Sequence, residues 1–275
     1  MDDLRGSVIL VTGATDGLGR QLAVDLAGRG GTVLAHGRSR ERLDGLLGEL
    51  GAAGDAPARG YLADLASLDE VRRMAGEVLE AEERLDVLVN NAGVGAGDER
   101  LVSAEGHELR FAVNHLAGFL LTRLLLDLLR ASAPSRVVNV ASIGQAAIDF
   151  DDVMLERGPF SGFRAYAQSK LAQILATIDL AEELEGSGVD VNALHPATLM
   201  DTSMVRESFG TPRSTVREGA DAALRLIADP ELEGVSGRYF EGAREGAADA
   251  QAYDPEARAA LRRLSLRLTG LEGTG

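Results

Sequence analysis

The 275-residue sequence has no cysteine, which excludes disulfides, thiolate nucleophiles and cysteine-ligated metal sites. Lysine is nearly absent too: of 28 basic residues, 27 are arginine and one is Lys170. A coding bias toward arginine explains the general pattern. Under that bias a lysine persists where arginine cannot replace it, for instance where a compact ammonium must sit beside a titrating group. Positive charge is in deficit, since 43 acids leave a net charge of −15, and this argues against nucleic acid as a ligand. Long apolar runs are missing as well. The most hydrophobic stretch, Leu116 to Leu129, is interrupted by Arg123 and Asp127 and falls short of the roughly 20 residues that span a membrane. The opening residues carry Asp2 and Asp3 where a signal peptide is basic, so a cytoplasmic protein without membrane attachment is expected.

What is present suits a folded domain, with 45% apolar residues and a mean hydropathy of −0.01. Short β-branched runs alternate with helical patterns. Strands are predicted at Ser7 to Thr12, Thr32 to His36, Gly60 to Ala63, Asp86 to Asn90, Arg136 to Ala141, Val189 to Leu194 and Gly237 to Glu241. Helices are predicted at Leu18 to Gly28, Leu68 to Glu82, Glu105 to Arg130 and Phe163 to Glu185, with an amphipathic helix after Pro255. The strands lack polar alternation, as expected when helices cover both faces of a parallel sheet. The pattern predicts an α/β fold: a Rossmann-type doubly wound sheet of about seven parallel strands in a single domain over residues 1–275. Segments 143–162 and 197–215 break the rhythm and are the expected substrate loops, because such sheets bind ligands beyond the carboxyl ends of their strands.

The first strand runs into a helix through Thr12-Gly13-Ala14-Thr15-Asp16-Gly17-Leu18-Gly19. Glycines at such a turn let backbone amides approach a pyrophosphate, and the helix N-terminus attracts its charge; a plain strand-to-helix turn would share the pattern. The second strand ends in His36-Gly37-Arg38-Ser39. Arginine there pairs with a 2′-phosphate, whereas an acid would bind the ribose hydroxyl. Arg38 therefore favours NADP(H) over NAD(H), and the nearby carboxylate of Asp16 weakens the preference. Farther along, Tyr166 and Lys170 stand four apart on a helix and share a face. A tyrosine ordinarily titrates near pH 10, and an adjacent ammonium favours the tyrosinate and brings it toward a working pH. The four histidines have no metal-ligand spacing, Ser142 lacks a hydrolase elbow, and the runs of glutamate read as solvated helix faces.

Together these segments resemble the short-chain dehydrogenase/reductase family, and within it the retinol dehydrogenase-like branch. The matching positions are Thr12 through Gly19, Asp64-Leu65, Asn90-Asn91-Ala92-Gly93, Val113-Asn114-His115, Val138 through Ser142, Tyr166 through Lys170, and Asn192 through Pro196. The resemblance implies a catalytic set of Asn114, Ser142, Tyr166 and Lys170. In it Tyr166 is the general acid or base, Ser142 holds the substrate oxygen, and Lys170 lowers the tyrosine pKa and binds the nicotinamide ribose. Asn114 holds a water that links Lys170 to solvent. It further implies that Gly13, Thr15, Asp16, Gly17, Leu18 and Gly19 cradle the pyrophosphate and that Arg38 and Ser39 meet the adenosine phosphate. Asp64 and Leu65 would touch adenine, and Asn91, Ala92 and Gly93 its ribose. The segment from Pro196 would close over the nicotinamide, with Thr198 or Thr202 on the carboxamide. Ala197 stands where the family usually has glycine, and the spacing of 24 from Ser142 to Tyr166 exceeds the commonest one.

The expected activity is interconversion of an alcohol and a carbonyl on a fairly apolar small molecule with NADP(H), in a homodimer or homotetramer. Two alternatives stay open: a nucleotide-sugar epimerase or dehydratase, and a non-catalytic NADP-sensing protein on the same fold.

Overall fold

The computed structural model describes residues 3–272. Short apolar runs buried on both sides build the middle of the sheet, as Val8–Val11 (β1) and Val87–Asn90 (β4) illustrate. Around them lie Thr32–Gly37 (β2), Ala58–Leu62 (β3), Ser135–Val140 (β5), Val189–His195 (β6), Tyr239–Glu241 (β7) and Arg244–Glu245 (β8). The order is β3-β2-β1-β4-β5-β6-β7-β8, and every pair is parallel except the last. The sheet therefore has eight strands where about seven parallel ones were expected. The extra strand is a two-residue antiparallel return from β7, too short for a periodicity to register.

Alternate strand residues feed two cores. On one face Ile9, Val11, Val33 and Val89 pack under Gly17–Gly28 (α1), Arg40–Ala53 (α2) and Val216–Ala228 (α8). On the other, Leu10, Leu34, Leu88 and Val191 meet Leu68–Ala81 (α3), Ala117–Leu124 (α4), Leu126–Ala131 (α5), Gly162–Glu183 (α6) and Pro255–Leu268 (α9). The short helix Ser203–Ser208 (α7) lies in the segment after β6.

The expected helix from Glu105 to Arg130 is shorter and irregular. Glu105 accepts a hydrogen bond from the Leu68 amide at 2.7 Å, and so serves the start of α3 instead of its own helix. Helical structure begins at Leu109 and widens at once into a π-helical turn, Phe111–Leu116, before α4. That turn presents Asn114 toward α6, and π-turns inside helices frequently mark functional sites.

Neighbouring strands β1 and β4 lead to helices on opposite faces, so a crevice opens beyond their carboxyl ends. The glycine turn after β1 and the Asn91–Gly93 segment after β4 border that crevice.

Candidate active site

The β1–α1 turn is held by side chains from the two flanking strands. The Gly13 amide donates to His36 Nδ1 at 3.0 Å, and His36 Nε2 donates to the Ala63 carbonyl at 3.0 Å, which requires the Nε2-protonated tautomer. Burial holds the His36 pKa below its ordinary value, so the ring stays neutral and keeps that lone pair. From β4, Asn91 Nδ2 donates to the carbonyls of Thr12 and Gly13 at 2.8 and 3.2 Å. Thr12 Oγ1 in turn accepts from the amides of Asn91 and Ala92. Asn91 was expected beside a ribose; its side-chain amide is spent on bracing the glycine turn. His36, unassigned by sequence reasoning, does the same work from the other side.

This bracing produces a cradle. A Cβ on Gly19 would overlap the Gly13 carbonyl, so only glycine lets the turn close so tightly. Asp16 caps α1 through the Gly17 amide at 2.7 Å, and the amides of Leu18 and Gly19 find no acceptor among the described residues. Two free amides at the start of a twelve-residue helix suit an anion. Ser39 caps α2, and the Arg38 guanidinium is exposed with no ion pair among the described residues. Arg42, one turn into α2, stands 3.9 Å from Asp16 and offsets the carboxylate that would otherwise oppose a phosphate. A cleft of about 460 Å³ opens beside these groups, lined by Thr15, Asp16, Arg42 and Ser203 among others. Asp64 and Leu65 follow β3, with the Asp64 carboxylate accepting from the Ala66 amide at 3.0 Å.

On the opposite side of the crevice α6 carries Tyr166 and Lys170 one turn apart, both buried. Ser161 caps this helix, and Gly162 lies so close to the Gly97 carbonyl that a Cβ would overlap it. Ser142, just beyond β5, hydrogen-bonds the Tyr166 hydroxyl and accepts from the Gly144 amide at 3.0 Å. Its own carbonyl accepts from Tyr239 and Gln145 at 3.2 and 3.0 Å. Lys170 Nζ donates to the Val140 carbonyl at 2.8 Å and to Gln173 Oε1 at 2.9 Å. Asn114 Oδ1 accepts from the Val94 amide at 2.7 Å, while its Nδ2 donates to Ser169 Oγ at 2.9 Å. The Asn114 side chain thereby locks the strand end at Gly93–Val94 onto α6.

Electrostatics depart from expectation at the tyrosine. Burial pushes the Tyr166 pKa up, opposed by the hydrogen bond with Ser142. Lys170 Nζ lies 5.9 Å from the ring centroid, and burial draws its own pKa down to about 7. The lysine makes no hydrogen bond to the tyrosine hydroxyl among the described residues and does not depress the tyrosine in the chain alone. Tyr166 rests as a protonated phenol, the form that can donate.

The segment after β6 folds back over the crevice. Pro196 is buried, and the exposed Thr198 shares a hydrogen bond with His195 Nε2 at 3.1 Å. Leu199 takes a left-handed φ of +50°, a strain on the order of 1 kcal/mol that turns the chain toward α7. Thr202 caps α7, and its Cγ2 faces Gly17. Ser203 donates to Asp16 Oδ2 at 2.8 Å, and Phe209 meets the Tyr166 ring edge-on at 5.1 Å.

A short chain dehydrogenase model matches residues 7–212. The chain belongs to the short-chain dehydrogenase/reductase family, and it is an oxidoreductase of the retinol dehydrogenase-like branch. It is 39% identical to human retinol dehydrogenase 13 over 97% of this chain and 86% of that protein. Mouse retinol dehydrogenase 14 is 40% identical over 88% of this chain and 79% of its own. Among solved structures, a protein from Mycobacterium paratuberculosis superposes with a TM-score of 0.81 at 28% identity, covering 98% of this chain and 96% of that one. The NADP active-site complex of Pseudomonas aeruginosa RhlG gives 0.72 at 28% identity, with 87% and 95% covered.

Proposed function

We propose that this protein is an NADP(H)-dependent oxidoreductase that interconverts a carbonyl and an alcohol on an apolar small molecule, with Tyr166 as the proton donor and acceptor. The carrying observation is the cluster of Ser142, Tyr166 and Lys170 at one end of a crevice whose other end is a glycine-braced helix N-terminus. Amides of Leu18 and Gly19 and the Arg38 guanidinium, without partners among the described residues, and Arg42 offsetting Asp16, suit a dinucleotide bearing an extra phosphate.

When bound, such a dinucleotide supplies or accepts the hydride. Ser142 donates its hydroxyl to the substrate oxygen and steadies the charge that develops there. Tyr166, protonated at rest, delivers its phenolic proton to that oxygen during reduction and takes it back during oxidation. Lys170, held by Val140 and Gln173, supplies positive charge one helical turn from the tyrosine and would offer an N–H to a ribose hydroxyl. Phe209 and α7 cover the tyrosine and keep bulk water from the reacting atoms. Names of the relatives point to a retinoid-like polyene alcohol or aldehyde as one member of the substrate class. Segments 143–162 and 197–215 would shape the pocket that receives it. The glycine turn alone would serve an epimerase or a sensor; the retinol dehydrogenase relatives favour the redox reading over both.

The test is nicotinamide absorbance with NADPH and NADH over apolar aldehydes, aromatic ketones and retinaldehyde. Wild type turns over with NADPH, and Tyr166→Phe loses on the order of 100- to 10,000-fold in kcat while still binding NADPH. Turnover unchanged in the variant removes Tyr166 from its role, and a preference for NADH removes Arg38 from its own. Light scattering of the same preparation checks the expected homo-oligomer.

A further inference from the structure

The only lysine of the chain hangs from a residue outside every matching motif. Gln173, one turn beyond Lys170 on α6, is buried and accepts from Nζ through Oε1 at 2.9 Å. Its amide nitrogen has no partner among the described residues. Gln173 also lines a cleft of about 30 Å³ between α4 and α6, room for a water molecule. Polar groups continue along this cleft. Asn139 binds Thr177 at 2.8 Å and Asn90 at 2.9 Å, and Asn90 binds Thr122 at 2.9 Å. Neither Phe209 nor any residue of α7 lines it. Asn114, the residue expected to carry the link to solvent, lines the same cleft, and its side chain is held by Val94 and Ser169.

We propose that Gln173 is a positioning residue for Lys170, fixing the ammonium against the Val140 carbonyl. The proposal rests on the oxidoreductase reading for its catalytic consequence, though not for the placement of the ammonium.

Groups of every packed element bear on the Lys170 charge. Tyr166 lies one turn earlier on α6, and β5 presents the Val140 carbonyl. His195 faces it from β6, and Asn114 and His115 stand on the π-turn. Farther along the cleft are Asp179, paired with Arg262 at 3.0 Å from α9, and Arg123, paired with Glu183 at 2.6 Å. The Arg258 guanidinium of α9 is turned to Glu182 at 2.7 Å. None of these places a carboxylate within reach of Nζ among the described residues, which agrees with a pKa drawn down to about 7.

Because Lys170 is the sole lysine, carbon-13 labelling at lysine Cε yields one NMR resonance that reports its protonation with no need of catalysis. In the full-length protein that resonance should titrate near pH 7. Gln173→Glu should move the midpoint up by about one unit or more, because a carboxylate favours the ammonium, and Gln173→Met should move it down, because an acceptor is lost. Alongside, Gln173→Met should lower kcat about tenfold with NADPH affinity held within about twofold, a change confined to the proton step. The pH limb of kcat should follow the NMR midpoint in each variant. A midpoint unmoved in both variants overturns the proposal, and should the methionine variant not fold, the isosteric glutamate decides alone. A shifted midpoint with no turnover in wild type on any carbonyl refutes the oxidoreductase reading and leaves the placement of Lys170 by Gln173 intact.

Discussion

The two sides of the crevice are built differently. On the glycine-turn side, the braces from His36, Thr12 and Asn91 run between the neighbouring ends of β2, β1 and β4. On the tyrosine side, the loop after β5 is tied to a distant tail. Asp249 donates to Gln145 at 2.8 Å, and Ile148 and Gln251 exchange two hydrogen bonds across 103 residues of sequence. Arg110 reaches the carbonyls of Ala96 and Glu99 and stacks over Phe160, while its charge is met by the fully buried Glu108. The first side follows the sheet, because its bracing side chains stand at paired strand ends. The second side is made by loops, and its shape can change without disturbing the sheet.

That contrast is broken most severely by adding one methyl group to either side. Gly19→Ala should raise the NADPH Kd about 100-fold, roughly 2.7 kcal/mol, since the new Cβ collides with the Gly13 carbonyl. Gly162→Ala pushes the start of α6 off Gly97 and displaces Tyr166, so kcat should fall about 100-fold with NADPH affinity nearly unchanged. Fluorescence titration and steady-state rates on the same two proteins separate the effects. If both variants lose cofactor affinity alike, the two sides are one mechanical unit.

Acid should reach both sides through buried histidines. His36 under the glycine turn, His195 under the lid and His115 beneath α9 all have pKa values lowered by burial, the last two to about 4 and about 3. A histidine held neutral in the fold but free to charge when unfolded leaves stability intact above its ordinary 6.5 and erodes it as pH falls toward the folded value. For His115 the loss between pH 7 and pH 5 comes to about 2 kcal/mol. Urea midpoints at the two pH values measure it. His115→Gln, which retains a partner for Ser265 at no titration cost, should lose correspondingly less.

Smaller effects sharpen the boundary. Gln251→Ala frees Ile148 and should raise KM for the carbonyl about fivefold, near 1 kcal/mol, with cofactor binding untouched. Ser203→Ala removes the hydroxyl that joins the lid to Asp16. Both groups are exposed, so the NADPH off-rate in stopped flow should rise only about two- to threefold. An off-rate that does not change would mean that α7 does not gate the cofactor.

Much of this molecule was legible before any coordinates. The doubly wound order, the glycine turn, and the pairing of Tyr166 with Lys170 on one helix face all follow from short-range pattern, because strand burial and helix spacing are local properties. Arg38 stands where its place in the sequence put it, exposed just after β2. Two readings needed correction for reasons that no spacing carries. Lys170 does not depress Tyr166 in the chain alone, because burial lowers the lysine and holds its Nζ on Val140 and Gln173. The long helix from Glu105 breaks because Glu105 caps α3, a contact across 37 residues.

The sequence by itself determined the fold class, the family and the residue types of the Ser142, Tyr166 and Lys170 cluster, since each rests on local periodicity or on motifs a few residues long. Only the tertiary structure decided what those residues lean on: His36 beneath the glycine turn, Arg42 beside Asp16, Gln173 beneath Lys170 and Gln251 beneath the loop after β5. Those partners meet through burial, neighbouring strand ends or loops packed far apart in sequence. Hydrogen bonds and shifted pKa values depend on the distance and dielectric that packing alone sets.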